Sequence, residues 1–155
     1  MDWIVSLTPE AAADPMVAIA SPPAGASIVE LRLDLFPEID VGAAVGACPL
    51  PLLTTLRSIQ EGGEGPDDPT IRARIIGAAR NAGAALIDLE FRRDASLARD
   101  LGLTPEETIL SWHDPRATPN GLAEVAGSLI ENAARWIKVV PSASSVADVV
   151  AVLDL

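Results

Sequence analysis

Lysine and histidine are almost absent from this chain of 155 residues: Lys138 and His113 are the only examples of each. Its 11 basic side chains therefore comprise one lysine and ten arginines. Nucleotide bias is a sufficient reason for such a ratio. Arginine, however, stays charged and cannot serve as an amine nucleophile, whereas lysine can lose a proton and attack a carbonyl. The one position that holds an ammonium is thus where amine chemistry is to be sought. Cysteine is as scarce. Cys48 alone excludes an internal disulfide framework and fits a reducing compartment. It precedes Pro49 without an activating neighbour and reads as a small packing residue. One histidine and one cysteine far apart in sequence lack ligand spacing, so no metal is expected. Basic charge is outnumbered by 22 acidic residues, for a net charge of −11 at pH 7. Such a surface repels phosphate backbones and anionic membranes, and neither nucleic acid nor membrane is an expected partner. Met1-Asp2-Trp3-Ile4 offers no basic leader and no long apolar run, so a cytoplasmic protein without signal peptide or membrane span is expected. No G-x-G-x-x-G follows the first strand candidate, which argues against a dinucleotide fold.

A hydrophobic share of 49% is enough for a core, and the length suits one domain. Strand candidates Trp3–Leu7, Ile28–Asp34, Leu52–Arg57, Ala85–Glu90, Thr108–Trp112 and Arg135–Val140 alternate with helical patterns. Asp14-Pro15, Asp68-Pro69 and Thr118-Pro119 each offer an N-cap with a first-turn proline. Gly83 and Gly102 suit helix stops. The last segment gathers Val146, Val149, Val150 and Leu153 on one helical face. Glu61-Gly62-Gly63-Glu64-Gly65 carries two carboxylates, a poor phosphate cradle, and reads as a mobile loop.

Strand–helix alternation implies parallel strands, in either an open sheet or a barrel. Residues two apart share a strand face. Glu30, Arg32 and Asp34 therefore share one face, as do Thr55 and Arg57, Asp88 and Glu90, and Ser111 and His113. Helices on both sides would bury that polar face at high cost. A (β/α)8 barrel turns it inward, toward the C-terminal mouth where barrel active sites lie. Six strand–helix units are visible against the eight of a closed barrel of roughly 250 residues. Residues 1–155 are accordingly expected to be a barrel domain truncated before its seventh and eighth strands.

Several motifs in register then become specific. Glu30-Leu31-Arg32-Leu33-Asp34 has the form E-x-R-x-D. Thr55-Leu56-Arg57-Ser58 with Glu61-Gly62-Gly63 has the form T-x-R-S…E-G-G. Ser111-Trp112-His113-Asp114 with Thr118-Pro119 has the form S-x-H-D…T-P, and Lys138 stands on the next strand. In order and spacing, from Ile4 to the end, the chain resembles type I 3-dehydroquinate dehydratase. The resemblance implies a lyase of the shikimate pathway that converts 3-dehydroquinate to 3-dehydroshikimate without a cofactor. It implies Lys138 as Schiff-base nucleophile, with Arg32 and Arg57 lowering its proton affinity. His113 would be the proton shuttle, Glu61 its orienting carboxylate, and Ser6, Glu30, Arg32 and Arg57 the substrate contacts. It further implies an arginine, a serine and a glutamine from later strands, for which this chain has no matching segment. Pro141 lies closer to Lys138 than the family's pattern has it, so a displaced last helix is expected. Homodimerisation and fusion to a shikimate dehydrogenase domain are the partner expectations. Two other readings stand beside this one: another Schiff-base barrel of the class I aldolase type, and a non-catalytic remnant or accessory domain of a shikimate-pathway protein.

Overall fold

In the computed structural model, which describes residues 3–10 and 14–155, six strands lie side by side in chain order. They are β1 (Ile4–Leu7), β2 (Ile28–Arg32), β3 (Leu52–Thr55), β4 (Leu86–Glu90), β5 (Thr108–Asp114) and β6 (Trp136–Pro141), and every neighbouring pair is parallel. Helices α1 (Pro15–Ala20), α2 (Val41–Ala47), α3 (Pro69–Asn81), α4 (Phe91–Asp94), α5 (Leu97–Asp100), α6 (Leu122–Ile130) and α7 (Val146–Leu153) lie between and after them. Among the described residues, no helix is long and apolar enough to cross a membrane.

The sheet is strongly curled, and one contact proves it. Lys138 on β6 lies 3.5 Å from Glu30 on β2. Four strand spacings separate these strands, roughly 19 Å across a flat sheet. Only a sheet bent toward a barrel brings the two side chains together.

Alternation then sorts the strands into two cores. The outer face (Val29, Leu31, Leu52, Ile87, Leu89, Leu110 and Trp112) packs against the helices. The inner face carries its own apolar cluster of Ile28, Leu53, Leu86 and Ile109 with Trp136 against it, one residue from each of β2 to β6. This layer is the floor. Two residues further along each strand stand Glu30, Thr55, Asp88, Ser111 and Lys138, and every one is polar. Apolar below and polar above is the layering that aims barrel chemistry at the C-terminal mouth.

Asp14, Asp40 and Asp68 accept hydrogen bonds from the first-turn N–H groups of α1, α2 and α3, with Pro15 and Pro69 in the first turns of α1 and α3. Gly83 and Gly102 follow α3 and α5 with positive φ of 95° and 64°, where a side chain would strain the backbone. Several sequence expectations are corrected. Thr118 is not a helix cap: its hydroxyl donates to the Ser142 carbonyl, and α6 starts behind Gly121. β2 stops early because its end turns, Leu35 N–H and Phe36 N–H bonding back to the Arg32 carbonyl, and β3 ends at Thr55, short of Arg57, whose carbonyl accepts from Gly65 N–H. β5 runs two residues longer than the pattern suggested, since β6 pairs with it as far as Asp114 and Pro141. Pro141 ends β6, and α7 begins after the cap Ser145. The apolar set on α7 faces outward, with Val146 81% and Leu153 78% exposed, while Ala151 and Val152 pack on the core.

The glycine-rich segment is not a loose loop. It folds back on the end of β3 through Gly63 N–H to the Ser58 carbonyl at 2.8 Å and Gly65 N–H to the Arg57 carbonyl at 2.7 Å. A Cβ on Gly63 would lie 2.3 Å from the Arg57 carbonyl oxygen, so only glycine permits this approach. The preceding one-turn helix, Ile59–Glu61, is capped by Ser58 and closed by Gly62 at φ 85°. That turn delivers Glu61 to the mouth.

Candidate active site

The polar layer is held together by Arg57, only 3% exposed. Its Nη2 donates to Asp88 Oδ1 at 2.9 Å. Its Nη1 meets Glu61 Oε2 at 3.0 Å, Ser111 Oγ at 3.1 Å and Glu90 Oε1 at 3.3 Å. Burial opposes its charge, but Asp88, Glu90 and Glu61 outweigh that and hold the proton on. Behind it a second buried guanidinium, Arg72, donates to Asp94 and to the Leu56 carbonyl at 2.9 Å, and sits 3.4 Å from Glu90. A buried charge is tolerable only when paired, and here each arginine is.

Glu61 reaches His113 through one oxygen. Oε2 accepts from the His113 backbone N–H at 3.1 Å and lies 3.1 Å from ring Nδ1. A carboxylate can only accept, so in a neutral imidazole the proton facing Glu61 is the one on Nδ1, and Nε2 is then the open acceptor. This is the arrangement a general base requires. The same oxygen also binds Arg57, so the cationic hub and the imidazole share an anchor.

Lys138 stands opposite Ser111 in the β5–β6 register, and His113 is two residues further along β5 on the same inward face. Its Nζ is 3.5 Å from Glu30 Oε1 and 3.9 Å from Asp88 Oδ2, with the side chain 36% exposed. Two carboxylates thus lie within 4 Å of the amine, and Arg57, which the resemblance put beside it, binds the far oxygen of Asp88 at 2.9 Å. Glu30 is itself fixed by the Thr55 hydroxyl at 2.6 Å and by the Ser6 hydroxyl. Burial pushes its carboxyl up, but Lys138, those hydroxyls and Arg57 more than compensate and leave it below its ordinary range.

Arg32 forms a two-pronged pair with Asp34, at 2.8 and 2.6 Å, and keeps a fifth of its side chain exposed. Asp34 also accepts the backbone N–H groups of Arg57 and Glu64 at 3.2 and 3.1 Å, tying β2 to the glycine-rich segment. Burial raises the Asp34 carboxyl, and those donors lower it further than burial lifts it. Both carboxyls thus have depressed folded values. Such groups contribute stability that is complete above their unfolded values and is lost as pH falls through the folded ones. The urea midpoint is accordingly expected to fall steeply from about pH 4 downward, and Asp34→Asn should flatten that fall.

Ser6, Glu30, Lys138, His113, Glu61 and Arg57 therefore converge on the inner face or at its mouth, with Arg32 at the rim. Arg57 presents no open fork to solvent. Alternation placed Asp88 and Ser111 on this face without giving either a role. The structure makes Asp88 the second carboxylate at Lys138, its Oδ2 buried without a hydrogen-bond donor. The D-x-E spacing of Asp88 and Glu90 was the available signal, but a single strand cannot tell which residue meets the amine of another.

The family model described as Type I 3-dehydroquinase matches residues 4–155. A protein named 3-dehydroquinate dehydratase from Desulfotalea psychrophila is 34% identical over 138 residues, covering 84% of this chain and 61% of that protein. The Arabidopsis thaliana protein named bifunctional 3-dehydroquinate dehydratase/shikimate dehydrogenase, chloroplastic, is 29% identical over 134 residues, 81% of this chain and 22% of that one. The solved 3-dehydroquinate dehydratase from Enterococcus faecalis superposes with a TM-score of 0.75 at 22% identity, over 97% of this chain and 70% of that chain, which shows the shared fold. This chain thus spans about three-fifths of the Desulfotalea relative's length.

Proposed function

This chain belongs to the type I 3-dehydroquinase family, and from that premise we propose that it dehydrates 3-dehydroquinate to 3-dehydroshikimate through an imine on Lys138. Residues 1–155 act in this reading as the first six strand–helix units of the barrel. The observation that carries it is the only lysine of the chain, inward on β6 between Glu30 and Asp88, with the Glu61-anchored imidazole on the adjoining strand.

Lys138 attacks the ketone, and loss of water leaves an imine. His113 Nε2 takes the α-proton, and the bonding pair moves into the imine to give an enamine. The enamine expels the neighbouring hydroxyl, which departs as water with the proton that His113 returns. Hydrolysis of the imine releases the unsaturated ketone and restores the amine. Asp88 and Glu30 hold the amine in place between steps. Ser6, Glu30 and Arg32 meet the hydroxyl and carboxylate groups of the substrate, and Arg57 acts through Glu61 and Asp88. The imine is the electron sink, so the route calls for no cofactor. The same reading puts the protein in the cytoplasm, in keeping with its lone Cys48. It also makes a shikimate dehydrogenase domain a natural companion, as in the Arabidopsis relative's name.

Trapping tests the proposal directly. Incubation of the chain with 3-dehydroquinate and sodium borohydride should add the reduced substrate to Lys138, seen by intact mass and peptide mapping. Turnover with an unmodified lysine would sink the imine route, and carbon–carbon cleavage products would point to an aldolase. A folded chain that neither binds nor turns over the substrate would be a remnant.

A further inference from the structure

We propose that the cleft at the C-terminal ends of β4 and β5, beside the candidate active site and sharing Glu61 and His113 with it, is a binding site for a small dianionic oxyanion of phosphate size, held by Arg92 and Arg116. The cleft has a volume of about 380 Å³ and is bordered by Arg92, Arg93 and Arg116, with Trp112, His113 and Glu61 among its other walls. Three of the ten arginines of a chain with net charge −11 thus meet at one concavity.

The charges that face it do not cancel. Glu61 is already shared by Arg57 and His113. Asp114, also a wall of the cleft, accepts the backbone N–H of Arg116 at 2.9 Å and pairs with its Nε at 3.5 Å, while the Arg116 side chain stays largely exposed. Arg93 is satisfied by the protein, through Gln60 at 2.6 Å, Glu90 at 3.2 Å and Asp67 at 3.3 Å. Arg92 differs from all of these. Among the described residues no carboxylate pairs with it, and its guanidinium carbon lies 5.6 Å from the centroid of the Trp112 ring. An aromatic neighbour supports the cationic plane while leaving its edge N–H groups free, and that planar fork suits oxyanions with two charged oxygens. Arg92 comes from α4, which directly follows β4, and Arg116 from the turn after β5, so two adjacent segments at the C-terminal ends of the strands border the same space.

The single histidine is the reporter. Its ring Cε1–H resonance is followed in the full 155-residue chain while inorganic phosphate replaces sodium chloride at constant ionic strength. The expected result is a saturable shift. Affinity should fall at least tenfold in Arg92→Ala, in Arg92→Gln and in Arg116→Ala, and stay unchanged in Arg99→Ala, an exposed arginine beside Asp100 that does not border the cleft. Succinate in a parallel titration separates a carboxylate source of the dianion from a phosphate one. A shift that grows linearly without saturating, that chloride reproduces, or that survives all three cleft variants would overturn the proposal. The readout needs no turnover, so its failure and that of the dehydratase reading are distinguishable.

Discussion

An Arg57→Met variant is expected to lose about 3–5 kcal/mol of folding stability, the range for removing one partner of a buried ion network. Urea unfolding followed by circular dichroism measures it. Methionine preserves most of the volume, so packing contributes little to the loss. What remains is a set of carboxylates stripped of their shared cation, and they are not stripped equally. Glu90 keeps Arg72 at 3.4 Å and Arg93 at 3.2 Å. Asp88 keeps only the Ser111 hydroxyl at 2.6 Å and Lys138 at 3.9 Å. In the Arg57→Met background, Asp88→Asn should therefore restore more stability than Glu90→Gln. Additivity of the two changes would show that Arg57 and Asp88 do not interact, against the 2.9 Å contact between them. Arg57→Lys should fall between wild type and Met, because one ammonium cannot reach four partners that a forked guanidinium spans.

Lys138→Arg should leave folding stability nearly untouched and lower turnover on the order of 10⁴–10⁶-fold, the scale on which loss of a covalent nucleophile is felt. The contrast between the two numbers is the test. Arginine keeps the positive charge between Glu30 and Asp88, so the ion pairs survive in altered geometry. It cannot lose a proton to become an amine, so no imine forms. Product absorbance gives the rate, and the same urea titration gives the stability. A variant that loses both would identify Lys138 as structural; one that loses neither would remove it from the chemistry.

Much of this architecture is legible in the sequence because period-2 alternation survives along β2, β4 and β5. Ile28-x-Glu30-x-Arg32 and Ile109-x-Ser111-x-His113 each write a floor residue and a polar residue above it. Strand order also follows, since each crossover is a short segment with proline punctuation, joined by an aspartate cap at α1, α2 and α3. What alternation cannot convey is who meets whom across the curl. Arg57 looks like a substrate clamp in sequence, yet it is enclosed by carboxylates from the next strand and from the turn after its own. Arg32 and Arg57 were expected around Lys138; alternation gave no sign that sheet curvature also sets the carboxylates of Glu30 and Asp88 against it. The glycine-rich segment reads as mobile because glycine is permissive, whereas here small size serves a close backbone approach that no larger residue allows. The valines of α7 show the converse limit: a one-sided pattern announces an apolar face without saying that the protein's own core will cover it.

The contact between Lys138 and Glu30 runs as a chord across the arc of the sheet, tying its last strand to its second. Any electrophile captured by that amine cuts the chord. The radius of the arc then rests on the Arg57 network above and on the apolar floor below, Ile28, Leu53, Leu86 and Ile109 with Trp136. If the proposed imine forms, covalent chemistry at one side chain would thereby be coupled to the curvature of the sheet.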